Sequence, residues 1–174
     1  NLRLLSNSTN SASFSLLAGT RNDVDVIAAS TSGFVRYSDL DDLTIGSIAA
    51  SSGIAALAGI TTVNSVTEGA AVAITANGVL TANQPIRTSP SAAAGSLVVG
   101  TVDLQSTTSF ISITDNADIF ADGAVSFTAA GGIQTAGEVT TSNDNVTYNS
   151  AVTLTGAVAI DTNTGVGTIT FNST

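Results

Sequence analysis

The sequence predicts an all-β fold that coils as a parallel β-helix (a β-solenoid) with about three short strands per turn. The first observation is a repeat of a β-branched, a polar and a large apolar residue, as in Val125-Ser126-Phe127. Copies of this pattern begin at Val102, Val125, Val146 and Ile169, which lie 23, 21 and 23 positions apart. A period in the low twenties that is made of short strands is typical of a solenoid.

The second observation is that short strand signals occur along the whole chain. Each puts two apolar residues on one face, so that this face can be buried while the other faces solvent. Outside the repeat, the predicted strands are residues 2–4, 14–16, 24–26, 35–37, 43–45, 72–74, 97–99, 111–113, 152–154 and 158–160. The third observation is that Gly, Asn, Asp and Ser cluster between the strands, and these residues form tight corners.

These signals predict how the turns are built. One turn consists of residues 146–148, 152–154 and 158–160, followed by a loop over 161–168 and the next strand at Ile169. The chain would make roughly seven or eight such turns, stacked into a rod on the order of 35 Å long. We therefore predict a single domain over residues 1–174, with regular repeats over 71–174 and a less regular part over 1–70.

Some segments depart from this pattern. Residues 48–60 are rich in alanine, but Gly53, Gly59 and the surrounding β-branched residues argue against a helix there. Pro85 and Pro90 predict a protruding loop over 83–94, because proline cannot donate to a central strand. The alternative fold is a β-sandwich or jelly roll, which also has many short strands, although the regular C-terminal spacing argues against it.

The composition excludes several classes of function. Lys and Arg total 4 and Asp and Glu total 13, giving a net charge of −9. Binding to nucleic acid or to anionic lipid relies on cationic side chains, so neither partner is expected. The absence of Cys and His excludes disulfides and leaves serine without its usual base. The most apolar run, residues 54–63, is too short and interrupted to span a membrane. The low Lys and high Ser, Thr, Asn and Gly content fits an extracellular protein.

Several segments resemble a known family. They are NDVDVIAA at 22–29, DDLTIG at 41–46 and GAVSFTAAGGI at 123–133, which continues into Asn145-Val146-Thr147. They resemble the repeats of filamentous-haemagglutinin-like bacterial surface proteins, whose long exported chains coil into right-handed parallel β-helices. The resemblance implies a right-handed β-helix in a secreted or cell-surface fibre for adhesion, aggregation or biofilm formation, with host or matrix glycans as partners. The chain is far shorter than such proteins, so we expect a segment of one or a small subunit.

Acidic residues are the candidates for a bound cation or for catalysis. Asp39, Asp41 and Asp42 form a cluster that is a candidate calcium site, because hard cations prefer carboxylate and carbonyl oxygens. A second candidate is 115–118, with sequence DNAD, and neither matches an EF-hand loop. No other cofactor is expected. Asp23 and Asp25 are two positions apart in a predicted strand, so both would point to one face and could pair as in a glycosidase, which needs carboxylates about 5 to 10 Å apart.

We expect a non-catalytic structural and adhesive surface protein. The second hypothesis is a self-assembling filament or surface-layer subunit, since open solenoid ends expose unpaired strand edges. In that case Leu2 and Leu4 on a donor strand would meet Ile169 and Phe171 on the acceptor edge of the next copy. The partners would be further copies or repeats of the chain. A carbohydrate-active enzyme is the third hypothesis, but four Arg, two Tyr and no Trp are few groups to hold a sugar.

Overall fold

The computed structural model describes residues 1–6, 12–18, 22–62, 71–88 and 100–173. These residues form 21 strands and no helix, so the predicted all-β class is confirmed. In chain order the strands are β1 (Leu2–Leu5), β2 (Phe14–Leu16), β3 (Val26–Thr31), β4 (Val35–Asp39), β5 (Leu43–Ile45), β6 (Ser47–Ile48), β7 (Leu57–Ala58), β8 (Ile60–Thr62), β9 (Val72–Ala76), β10 (Leu80–Ala82), β11 (Ile86–Thr88), β12 (Val102–Ser106), β13 (Ile111–Ile113), β14 (Ile119–Ala121), β15 (Val125–Ala129), β16 (Ile133–Thr135), β17 (Val139–Thr141), β18 (Val146–Tyr148), β19 (Val152–Leu154), β20 (Ile160–Asp161) and β21 (Ile169–Phe171). The predicted strand 97–99 lies outside the described residues.

Seven parallel strands form one sheet, which we call path one, in the order β2-β4-β9-β12-β15-β18-β21. Val102 lies beside Val125, Val125 beside Val146, and Val146 beside Ile169. The repeat seen in the sequence is therefore the register of this sheet. Two steps before Val102 are longer, with 37 positions from Val35 to Val72 and 30 from Val72 to Val102, whereas the step from Phe14 to Val35 is again 21.

The other long sheet has 12 strands. Two runs of strands, which we call path two and path three, both start at β3, and β1 also pairs with β3. Path two runs from β3 through β5, β10, β13 and β16 to β19, and path three runs from β3 through β8, β11, β14 and β17 to β20. From β4 onward the chain visits path one, path two and path three in turn and then returns to path one. Parallel strands in long sheets that are revisited in this order are consistent with a β-helix or solenoid.

The core lies on the inward side of the three paths. Strands such as β9 and β15 alternate between buried and half-buried residues, which is the pattern of a sheet with one face in a core. Path one contributes a buried column of large side chains, namely Tyr37, Ile74, Leu104, Phe127 and Tyr148. Burying each such side chain stabilises the fold by about 1.5–3 kcal/mol. On path three the second inward position holds small residues instead: Thr62, Thr88, Ala121 and Thr141.

Antiparallel pairing, which a β-sandwich or jelly roll requires, is confined in the described residues to one hairpin. The strands β6 and β7 pair antiparallel, and Ser51 bridges Ile54 at the turn. Ser52 and Gly53 both have positive φ, 51° and 79°, as a two-residue type I′ turn requires. The alanine-rich segment is therefore a hairpin inserted between β5 and β8, which accounts for most of the extra length between Val35 and Val72.

Candidate functional site

The C-terminal strands of the three paths, β19, β20 and β21, have a parallel neighbour on one side only in the described part of the chain. The inward-facing side chains of these last strands are not covered by a following strand. Ile169 and Phe171 are 43% and 53% exposed, whereas their register partners Val146 and Tyr148 are both 0% exposed. Two of the four predicted interface residues therefore lie at an apolar strand edge, the kind of edge that pairs readily with another strand.

The other two predicted interface residues, Leu2 and Leu4, lie on β1. This strand pairs with β3 of the same chain, where Leu2 is beside Ile27 and Leu4 is beside Ala29. Leu4 is buried and Leu2 is half-buried, so both side chains pack in the core of this chain. Strand addition at this end would therefore use the second backbone edge of β1 and leave the leucine side chains where they are.

The predicted calcium ligand Asp39 has partners within the chain. It is 2% exposed, and its carboxylate accepts hydrogen bonds from the Tyr37 hydroxyl at 2.6 Å and from the backbone N–H groups of Val24 and Asp41, both at 3.2 Å. Burial raises the pKa of Tyr37, and the hydrogen bond to Asp39 raises it further. These bonds fix the corner that follows β4.

The other members of the acidic cluster are exposed. Asp42 accepts a hydrogen bond from the backbone N–H of Val79 at 2.6 Å. Desolvation raises the pKa of Asp41, and the charge of Asp23 and the hydrogen bond with Asp39 act in the same direction. Among the described residues, no group of three or more His, Cys, Asp or Glu is arranged to hold a metal ion. Calcium binding by Asp39, Asp41 and Asp42 thus stays a prediction that this geometry does not support.

The remaining acidic candidates lie outside the strands. Asp23 and Asp25 are both exposed and precede β3, which begins at Val26, so they do not lie within a strand as predicted. In the second calcium candidate, Asp115 is exposed, whereas a carboxylate oxygen of Asp118 accepts a hydrogen bond from the backbone N–H of Glu138 at 3.1 Å. These side chains therefore organise or solvate loops.

A cleft of about 200 Å³ on the outward side of path three was not predicted from the sequence. Arg87 on β11 and Phe120 on β14 are register partners, and the guanidinium carbon lies 4.1 Å from the ring centroid. Such a cation–π contact orients both groups. The other lining residues are Thr88, Ala121, Asp122, Thr140, Thr141, Ser142 and Asn163.

The carboxylate in this cleft is perturbed by its surroundings. Burial raises the pKa of Asp122 and the charge of Asp144 adds to this effect, whereas a hydrogen bond from Ser142 opposes it. The signal in the sequence that could have found the cleft is the middle residue of Ile86-Arg87-Thr88 and Ile119-Phe120-Ala121, which points outward when its neighbours point inward.

Within the described residues, no helix has the length and apolar character needed to cross a membrane. In comparisons with known proteins, no family model, curated protein or solved structure matches the chain.

Proposed function

We propose that the chain is a right-handed parallel β-helix that serves as a non-catalytic structural and adhesive element of an extracellular or cell-surface fibre. The observation that supports this most is the unbroken parallel register of the seven strands of path one. Each circuit returns the chain to the same sheet, and connections between parallel strands of one sheet are almost always right-handed. Repeats stacked in this way extend a structure in one direction, which suits a fibre.

The outward surface supports a structural role. On path one, the Asn172 side chain donates to Asn149 Oδ1 at 2.8 Å, and the Asn149 side chain donates to Thr128 Oγ1 at 3.1 Å. These polar side chains link successive strands on the outside, as the stacked rings of Phe127, Tyr148 and Phe171 do on the inside. Both linkages favour a stiff stack that presents hydroxyl and amide groups to a partner.

Adhesion can be tested with beads. Beads coated with the purified chain should attach to cell monolayers, or to each other, several-fold more than beads coated with an unrelated acidic protein of similar size. The unrelated acidic protein controls for charge. Attachment to neither surface above that control would refute the adhesive role.

A second candidate function, a filament built by strand addition between copies, is favoured by one observation. The column of path one ends at Phe171, which stacks on Tyr148 with ring centroids 4.9 Å apart and yet is half exposed. At the other end of the same path, Leu16 on β2 is also exposed, and β2 pairs with β4 alone among the described strands. Placing β2 of one copy beside β21 of another would continue the parallel register and cover both residues.

Electron microscopy distinguishes a filament from a single stack. If copies join end to end, the purified chain forms uniform fibres, and Phe171→Lys abolishes them by placing a charge in the junction. The matched control is Asn172→Lys, the next residue along, which makes its contact on the outward side. Monomeric particles from the unmodified chain, or fibres that survive Phe171→Lys, would exclude this mode of assembly.

A further inference from the structure

We propose that the cleft between Arg87 and Asn163 binds one ring of a neutral saccharide. This inference deepens the adhesive role proposed above, and it rests on that role for its biological meaning. It begins from the register of path three, in which Arg87 lies beside Phe120 and Phe120 beside Thr140. Successive strands are about 4.8 Å apart, so the cleft runs across the strands and along the direction of stacking.

The floor and one wall of the cleft are held in place by the fold. Thr88 and Thr141 are 2% exposed, and Ala121 is 4% exposed. Thr88 Oγ1 accepts a hydrogen bond from the backbone N–H of Asp122 at 3.1 Å and donates to the carbonyl of Gly100. The start of the Asp122 corner is thereby fixed against β11. A ligand would meet a cleft that is already formed, which reduces the entropy lost on binding.

The lining has the mixture of groups that a sugar ring needs. Phe120 provides an apolar surface for ring C–H groups, while Arg87 covers one face of the aromatic ring. Arg87 donates hydrogen bonds, Asp122 accepts them and the Ser142 hydroxyl does both. Asn163 Oδ1 accepts the Thr164 backbone N–H at 2.9 Å, so its amide –NH₂ group remains as a donor. Ligand sites in general combine an apolar lining with a few such polar groups.

Size and charge narrow the ligand class. The volume of about 200 Å³ is below the roughly 300–1,000 Å³ of sites for drug-sized ligands, so it suits one ring of a longer chain. Arg87 is the only cationic side chain after Arg36 in the whole sequence, and the net charge is −9. An acidic polymer would bring its carboxylates against Asp122 and Asp144 and against the field of the whole protein. A neutral sugar avoids this repulsion.

The test is a titration of the ¹⁵N-labelled chain with cellohexaose, maltohexaose and chitohexaose, followed by amide NMR. At least one of the three should bind saturably with a dissociation constant on the order of millimolar, as expected for so small a contact. The shifted amides should cluster at 120–122 and 140–142. Phe120→Ala should weaken binding about tenfold or more. Asp122→Asn, which keeps the size of the side chain, should weaken it as well.

The matched control is Arg36→Ala, because Arg36 lies over the Phe34 ring at 4.5 Å in a similar pair near path one. This variant should bind as the unmodified chain does. The inference is overturned if none of the three sugars shifts these amides, if Arg36→Ala and Phe120→Ala weaken binding equally, or if polygalacturonate binds in preference to all three. If no sugar binds but the coated beads attach, the saccharide site is rejected and the proposed adhesive function stands. If a sugar binds in the cleft but the beads do not attach, the site stands and the adhesive function is rejected.

Discussion

Tyr148 and Phe171 stack on neighbouring strands of path one, with their ring centroids 4.9 Å apart and their planes inclined by 10°. Phe127 stacks on the other side of Tyr148, also at 4.9 Å. Tyr148 is thus enclosed between two rings, and its buried hydroxyl has no hydrogen-bond partner in the described part of the chain. In the same column, the buried hydroxyl of Tyr37 donates to Asp39 at 2.6 Å. The two tyrosines of the chain therefore differ in the hydrogen bonding of their buried hydroxyls: that of Tyr37 has a partner, and that of Tyr148 has none among the described residues.

This contrast predicts that removing the two hydroxyls has opposite effects. Tyr148→Phe should raise the free energy of unfolding by about 1 kcal/mol, because a buried polar group without a partner costs desolvation energy. Tyr37→Phe should lower it by about 1–3 kcal/mol, because the buried Asp39 carboxylate loses a donor. Urea unfolding followed by circular dichroism measures both values. A similar loss in the two variants would show that the Tyr148 hydroxyl has a partner in solution.

The buried tyrosines also predict alkaline unfolding. Burial raises the pKa of Tyr148 to about 12, and burial together with the Asp39 hydrogen bond raises the pKa of Tyr37. In the unfolded chain tyrosine loses its proton near pH 10, at about its ordinary pKa. Above that pH the folded state binds more protons than the unfolded state, so stability falls as pH rises through the folded pKa values. Tyrosinate absorbance should therefore appear together with the loss of β-structure in circular dichroism.

Tyr148→Phe provides the internal check on alkaline unfolding. The variant lacks one of the two groups that keep their protons in the folded state, so it should lose less stability per pH unit above about pH 10. If both tyrosines ionise near pH 10 while circular dichroism stays unchanged, the hydroxyls are accessible to solvent and the prediction is wrong.

Path one was the most predictable part of the fold. Its strands place large or β-branched apolar residues at both inward positions, as in Val125 and Phe127, so a single sequence reveals them. The strands β8, β11, β14 and β17 of path three were missed, because their second inward position holds Thr or Ala. For the last strand of that path, residues 158–160 were predicted, whereas β20 begins at Ile160.

The loop predicted over 83–94 was wrong for Ile86–Thr88, which form β11. Pro85 stands just before this strand, where a missing N–H costs nothing, and its carbonyl accepts the Ile60 backbone N–H at 3.1 Å. Residues 89–94 lie outside the described residues. Proline therefore marked the beginning of a strand here and did not exclude one.

The candidate sites were predictable only where they depend on neighbours in sequence. Tyr37 and Asp39 are two positions apart in β4 and therefore lie on the same face, so their contact follows from the strand period. Arg87 and Phe120 are 33 positions apart, a step that the period of 21 to 23 does not give. Their contact depends on the length of the connection between β11 and β12, which no strand pattern specifies.

The exposed side chain of Asp41 predicts a pH dependence of stability that is opposite in sign to that of a carboxylate in a salt bridge. The pKa of Asp41 is raised by desolvation and by the charge of Asp23, so the folded state binds its proton more tightly than the unfolded state does. Stability should therefore fall as pH rises from the ordinary aspartate value of about 3.9 to the folded pKa. Asp41→Asn removes this loss, so the variant should gain stability over the unmodified chain across that window and keep the gain at neutral pH.

The contribution of Asp23 to the raised pKa of Asp41 can be measured separately from its effect on stability. Asp23→Asn removes the largest charge effect on Asp41, so the Asp41 pKa measured by carboxyl ¹³C NMR should move down toward its ordinary value. An Asp41 pKa that does not move in this variant would show that Asp23 contributes nothing, and would leave desolvation, Asp39 and Asp42 as the causes of the shift.

Two glycines with similar backbone angles predict very different tolerance to a methyl group. Gly59 has φ of 69° and is buried between the hairpin and β8, and a Cβ there would lie 2.1 Å from the carbonyl oxygen of Pro85. Its N–H donates to Gly46 at 2.9 Å and its carbonyl accepts from Ala29 at 2.9 Å, so the backbone cannot move away. Gly53 has φ of 79°, but a Cβ there meets nothing within 4 Å.

Gly53→Ala should therefore cost about 1–2 kcal/mol, the strain of placing alanine in the left-handed region. Gly59→Ala carries the same strain together with a backbone clash that also displaces β11, so its cost should be on the order of 4 kcal/mol or more. Urea unfolding of the two variants in parallel measures the difference, which isolates the clash because the strain is shared. Equal costs would mean that residues 46–59 shift freely against Pro85, and the hairpin would then be a loosely attached insertion instead of a part of the packed stack.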